Sequence, residues 1–282
     1  MMTTIEENES LAVKPETITL AESSTYSEVP TQADVYRAPE RFSQPQTLIL
    51  IHGQASNAET DWSDLIAQFV ENGFNTVAIT TSRKLTFNAY MGSLPAGQAP
   101  DFDAWSHDAM GKKDFAAELS EVEAAARAGI TKLGNRAGTI NVMGHSLGGT
   151  LAVELASQFR DMVKGKVVLV APSAIVDEAG SPRKVRSSPM VGESAPDADT
   201  LQAHCRELGS RAYVFFGQND DGIGENNRAV FRDAHMLGEV LKDVGHGMAN
   251  PNLNFLPGEP QGELRAAKRK ELFAKAIAHL SR

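Results

Sequence analysis

One stretch constrains this chain more than any other: Thr139-Ile140-Asn141-Val142-Met143-Gly144-His145-Ser146-Leu147-Gly148-Gly149. An apolar-leaning run ends in Gly-x-Ser-x-Gly, and a helix-like segment over residues 150–159 follows at once. The spacing predicts a strand, a turn of about one residue and a helix. A reversal that tight holds the serine in a strained backbone conformation with its hydroxyl projecting from the bend. Gly144 and Gly148 then become steric requirements, because a Cβ at either would press on the neighbouring strand or helix. The helix aims its N-terminal amides at the place where a negative oxygen would form. The five-residue string alone also makes an ordinary turn. What separates the two is context: a β-like run before it, and Leu147, Leu151 and Leu155 at four-residue steps after it.

The rest of the chain keeps the same rhythm. Residues 1–16 are polar and acidic and read as a mobile tail, leaving 17–282 as one domain. Residues 17–38 alternate loosely, consistent with one or two antiparallel edge strands. Thr47-Leu-Ile-Leu-Ile51 is a continuous apolar run of the kind buried on both faces of a parallel sheet. Residues 62–72 read as a helix stopped by Gly73, and 75–79 as a second buried strand. Residues 114–128 form an amphipathic helix ended by Gly129. Further strands are expected over 166–170, 211–216 and 236–241, with helices around Cys205, over 225–234 and over 263–280. Strands alternating with helices imply a mostly parallel, twisted sheet covered on both faces. Two stretches break the pattern, 80–111 and 171–199, and both read as irregular.

Composition narrows the function classes. The 282 residues are 41% hydrophobic and 22% charged, enough for one large α/β core. The net charge of −9, with no basic block long enough to track a phosphate backbone, argues against nucleic acid as a partner. The basic run Arg265-Ala-Ala-Lys268-Arg269-Lys270 reads as the solvated face of a helix. No segment approaches the ~20 apolar residues of a membrane span, and no secretion signal is evident. The single cysteine, Cys205, excludes an internal disulfide framework and fits the reducing cytoplasm. It sits in a helical segment and reads as a structural or merely exposed thiol. His107, His204, His235 and His279 show no metal-ligand spacing, which argues against a zinc site.

Serine is a weak nucleophile near neutral pH and needs a base, which in turn needs an orienting acid. Both occur downstream, each after a strand: Gly217-Gln-Asn-Asp220-Asp221, then Val244-Gly245-His246-Gly247. Ser146, Asp220 and His246 stand in nucleophile, acid, base order. Neighbouring residues of a turn point to different sides, so only one of the two carboxylates can reach the imidazole. Asp220 is the third residue after Gly217, and Asp221 reads as a turn or cap residue before the next helix. Upstream, His52-Gly53-Gln54 supplies a loop whose Gln54 amide, with that of Leu147, would converge on an oxyanion. His52 supports that loop and takes no proton. His145 is adjacent to the nucleophile, but the bend points its side chain elsewhere; it is expected to be structural or, at most, to border the pocket.

Together, His52-Gly53, the Gly144-His145-Ser146-Leu147-Gly148-Gly149 turn, Gly217-x-x-Asp220 and Gly245-His246-Gly247 resemble the α/β-hydrolase superfamily, over residues from about 33 to 280. The resemblance implies an α/β-hydrolase fold and a serine-based triad, and places the acid at Asp220. The run Gly245-His-Gly-Met-Ala-Asn-Pro251 is similar to the dienelactone-hydrolase-like branch, which commonly carries cysteine as nucleophile. Serine at this position points instead to a general ester. Haloalkane dehalogenases and epoxide hydrolases of the superfamily would carry Asp at the elbow, so Ser146 argues against both.

The expected function is hydrolysis of a small soluble carboxylic ester through an acyl-enzyme on Ser146, and hydrolysis through a serine triad would need neither a metal nor an organic cofactor. Thioesterase, lactonase, acyltransferase or perhydrolase chemistry would use the same residues, and a non-catalytic binding scaffold would need none of them. Residues 80–111 contain Phe87, Tyr90, Met91, Phe102 and Trp105, an aromatic set expected to wall the substrate pocket. Residues 180–199 show no amphipathic period and suggest a small cap at most. Nothing in the sequence bears on oligomeric state.

Overall fold

The computed structural model describes residues 14–20, 28–54, 56–99, 101–110, 113–173, 194–220, 225–253, 256 and 258–282. In chain order the first strands are β1 (Glu16–Thr19), β2 (Gln32–Tyr36) and β3 (Gln46–Ile51), followed by α1 (Ala58–Glu71) and β4 (Phe74–Thr80). Next come α2 (Phe87–Ser93), α3 (Phe102–Met110), α4 (Phe115–Leu133), β5 (Ile140–His145) and α5 (Leu147–Gln158). The chain then forms β6 (Val167–Val170), α6 (Ala198–Leu208), β7 (Ala212–Gly217), α7 (Glu225–Asp233), β8 (Leu237–Leu241) and α8 (Gly262–Leu280).

Apolar runs without polar alternation need cover on both faces, and the central strands receive it. Ile49, Ile51, Val142 and Leu169 pack against α4, α5 and α6. Leu48, Leu50, Met143 and Val168, one residue out of step, pack against α1 and α8. Fully burying each such side chain is worth about 1.5–3 kcal/mol, so these two layers fix which face each strand presents.

The sheet order is β1-β2-β4-β3-β5-β6-β7-β8. The pairs β1–β2 and β2–β4 are antiparallel, and every later pair is parallel. This is the mostly parallel α/β sheet expected, with its antiparallel strands at one edge. From β3 the chain leaves to α1 on one face, whereas from β5 it leaves to α5 on the other. The two loops therefore part above adjacent strand ends, the topological switch point where open α/β sheets form their crevice.

Several boundaries differ from the sequence reading. Glu16, placed at the end of the tail, already pairs with Val35 as the first residue of β1; residues 1–13 lie outside the described ones. Helix α1 begins at Ala58, before Trp62, because Asn57 caps it by accepting a hydrogen bond from the Thr60 amide at 2.8 Å. Helix α4 runs through Gly129 to Leu133. Gly129 is there for close packing: a Cβ would fall 2.5 Å from Val77 Cγ1. Residues 80–111 are not irregular but carry α2 and α3. Most of 171–199 lies outside the described residues. The basic run near the end is only partly a solvated face, because Arg269 is buried and pairs with Asp64 at 2.7 and 2.9 Å, tying α8 to α1.

Candidate active site

Four loops meet above the ends of β3, β5, β7 and β8. At the centre, Ser146 adopts φ 53° and ψ −122°, a region costly for any residue with a Cβ. The surroundings over-determine it. The Ser146 amide donates to the Val170 carbonyl at 3.0 Å, and the Ser146 carbonyl accepts from Gly149 at 2.9 Å and from Ser173 at 3.0 Å. A Cβ on Gly144 would lie 2.0 Å from the Gly148 carbonyl oxygen, and one on Gly148 would lie 2.4 Å from that of Ile51. Only glycine lets strand, turn and helix approach this closely.

His246 lies in the loop after β8, and its Nε2 is 2.9 Å from Ser146 Oγ. Its Nδ1 is 3.0 Å from Asp220 Oδ2. Because the carboxylate accepts, Nδ1–H is the donor on that side, which leaves Nε2 to accept from the serine hydroxyl. Asp220 is buried in the turn after β7. Arg228 of α7 holds that turn, donating to the carbonyls of Gly217 at 3.1 Å and Asp220 at 2.6 Å. Asp221 lies outside the described residues. After His246 the backbone passes through two positive-φ residues, Met248 and Ala249. Glu259 secures them, accepting from the Ala249 amide at 2.7 Å. Burial pushes the Glu259 carboxyl above its ordinary range.

The loop after β3 lies against the serine: the position of a Cβ on Gly53 is 3.2 Å from Ser146 Cβ. Its two flanking groups are a neutral imidazole and a buried guanidinium. His52 accepts from the Thr81 amide at Nε2, 3.1 Å, so its proton sits on Nδ1 and is donated to the Gly53 carbonyl at 2.6 Å. Burial, and then the charge of Arg83, pushes this imidazole down to about 4. Arg83 Nη1 donates to the carbonyls of Gln54 and Ser56, both at 2.7 Å. Glu118, Glu121 and Lys113 complete a buried charged cluster around it, and Lys113 is ion-paired with both carboxylates. The sequence reading missed Arg83, Lys113, Glu118 and Glu121, since a lone charge beside an irregular segment looks solvated.

The Gln54 side chain donates to Ser106 Oγ at 2.8 Å, which joins this loop to α3. Leu147 opens α5, where the first amides have no intrahelical acceptor. Of the aromatic set, Phe87, Tyr90 and Trp105 pack on one another. Phe87 and Trp105 are buried edge to face with centroids 5.2 Å apart, and Tyr90 packs on Phe87 at 5.8 Å while staying half-exposed. With Ala109 they form the small core of the α2–α3 excursion. The Phe102 side chain lies outside the described residues. His145 is also buried, with both ring nitrogens hydrogen-bonded, as a structural residue would be. Cys205 lies in the core, and burial, with Glu154 nearby, pushes its thiol up to about 12. Among the described residues no group of three or more His, Cys, Asp and Glu side chains could hold a metal ion, and no helix is long and apolar enough to cross a membrane.

The sequence model of a family described as "Alpha/beta hydrolase family" matches residues 48–267. No curated protein sequence matches the chain. Solved structures do resemble it. A Klebsiella pneumoniae protein provisionally described as a dienelactone hydrolase aligns with a TM-score of 0.60 at 14% identity, covering 95% of this chain and 99% of that one. The peroxisomal alpha-beta-hydrolase Lpx1 of Saccharomyces cerevisiae aligns with a TM-score of 0.58 at 12% identity, covering 94% and 90%. The 2-hydroxy-6-oxo-6-phenylhexa-2,4-dienoate hydrolase of Rhodococcus sp. strain RHA1 aligns with a TM-score of 0.58 at 14% identity, covering 95% and 98%. At these identities the likeness speaks for the fold.

Proposed function

The chain belongs to the alpha/beta hydrolase family, and on that premise we propose that it is a serine hydrolase cleaving a small, soluble carboxylic ester. The observation that carries this reading is the unbroken chain from Ser146 Oγ through His246 to Asp220, with steps of 2.9 and 3.0 Å. Ser146 attacks the ester carbonyl as His246 Nε2 takes its proton. Asp220 holds the Nδ1–H tautomer and stabilises the imidazolium that forms. The tetrahedral oxyanion falls between the Gln54 and Leu147 amides, and a single such donor is worth roughly 2.7–4 kcal/mol of barrier. His246 then returns the proton to the leaving alkoxide, and water, activated by the same imidazole, releases the acid from Ser146.

The buried, unionised Cys205 supports serine as the nucleophile. The test is hydrolysis of a panel of esters, thioesters and lactones by the wild type and by Ser146→Ala. Short-acyl esters should be the best substrates, and the variant should lose about 10⁴-fold or more in kcat. Equal turnover by both proteins would overturn the reading.

A further inference from the structure

His145 faces two hydrogen-bond acceptors. Its Nδ1 is 3.1 Å from Asp61 Oδ2 and its Nε2 is 2.9 Å from the backbone carbonyl of His246. A carbonyl only accepts, so Nε2 carries a proton. Asp61 Oδ2 accepts from the Gly53 amide at 2.7 Å and its carboxyl is held below the ordinary range; an ionised carboxylate only accepts, so Nδ1 carries the second proton. The ring is therefore an imidazolium, ion-paired with Asp61, and both side chains are buried. Burial opposes each charge, but their mutual attraction and hydrogen bond outweigh it: Asp61 is held below its ordinary range and His145 above.

The other charged or titratable groups around the pair come from every element packed on it. Arg269 of α8 disfavours the imidazolium, while Glu259 and His246 lie beyond it in the loop after β8. His52 acts on Asp61 from the loop after β3. Among the described residues, only Asp61 bonds the ring directly with a charge.

We propose that the Asp61–His145 pair is a positioning device that sets the His246 backbone and the Gly53 amide in one register about Ser146. Asp61 holds the loop expected to carry the oxyanion donor, and His145 holds the carbonyl of the residue expected to be the base. One ion pair thus spans the two loops that must stay aligned during acyl transfer. Neither residue touches substrate. The inference rests on the reading of Ser146 and His246 as nucleophile and base. Its protonation state is testable without that reading.

Nitrogen-15 NMR of the wild-type imidazoles at about pH 7 should show His145 protonated at both nitrogens, above the ordinary transition near 6.5. A singly protonated His145 ring overturns the proposal. In His145→Gln, which can keep one of the two bonds, kcat should fall about 10- to 100-fold, with KM within about threefold of wild type. Asp61→Asn should behave alike and serves as the second variant if the first does not fold. A lowered melting temperature with unchanged kcat, in whichever variant folds, would make the pair merely structural and overturn the proposal. If the wild type hydrolyses no ester, the proposed function fails, and the rate of fluorophosphonate labelling replaces kcat as the readout for the pair.

Discussion

Ser146 Oγ and His246 Nε2 stand 2.9 Å apart although 100 residues separate them in the chain. The closeness follows from topology. Strands β5 and β8 run parallel in one sheet, so the residues leaving their carboxyl ends emerge on the same edge. Asp220 leaves β7, the neighbour of β8, and reaches the far side of the same imidazole.

Replacing Asp220 by Asn keeps the shape but lets the amide favour the wrong imidazole tautomer. Turnover of an ester should fall by roughly 10³–10⁴, by analogy with other triads. Thermal unfolding should change little, since Arg228 holds this turn through backbone carbonyls. Asp221→Asn should cost less than about tenfold. Kinetics of the two variants side by side decide between the carboxylates, and the reverse ranking would move the acid to Asp221.

Arg83 is buried beside Glu118 at 3.8 Å and donates to two carbonyls of the Gln54 loop. Arg83→Met removes these donors and leaves the buried carboxylates short of a cation. A loss of about 3–5 kcal/mol is expected in denaturant unfolding. The exposed pair Lys84–Asp108 provides the contrast. Lys84→Met should cost less than about 1 kcal/mol.

His52 and His145 flank Gly53 and pull stability in opposite directions with pH. For His52 the unfolded chain takes a proton near 6.5, whereas the folded chain takes it only at about 4. The unfolded state therefore binds more protons in that window, and stability falls as pH drops through it. His145 is raised, so its contribution is complete below about 6.5 and is lost as pH climbs through the folded value. Unfolding free energies measured against pH should show both limbs. His52→Gln should flatten the acid limb, and His145→Gln the alkaline one.

Trp105 is 1% exposed and packs on Phe87 in the α2–α3 excursion. Trp105→Ala should therefore destabilise by about 3–5 kcal/mol. Denaturant unfolding reads this directly, and a shift in acyl-chain preference without loss of stability would instead make Trp105 part of the pocket wall.

Much of the fold is legible in the sequence because its signals are local and repeated. Thr47-Leu-Ile-Leu-Ile51, short, apolar and rich in isoleucine, reads as a strand covered on both faces, and Gly144 and Gly148 mark a turn that excludes side chains. The turns holding Asp220 and His246 are marked by glycines after apolar runs. What escaped the reading depends on tertiary pairing. Helices α2 and α3 span 7 and 9 residues, too short to show a clear amphipathic period. Gly129 looks like a helix end until Val77 is seen against it. Arg83, Arg269 and Asp61 are charged, and such residues are buried only where partners distant in sequence meet them. Those partners, among them Glu118, Asp64 and His145, lie on other elements.

Fluorophosphonate labelling followed by peptide mapping tests the central claim most directly, because only an activated serine reacts at an appreciable rate. The wild type should carry one label, on the peptide containing Ser146. Cys205→Ala should label as fast, while Ser146→Ala should not label at all. A label that survives Ser146→Ala, or that maps elsewhere in the wild type, would contradict the assignment of Ser146 as the nucleophile.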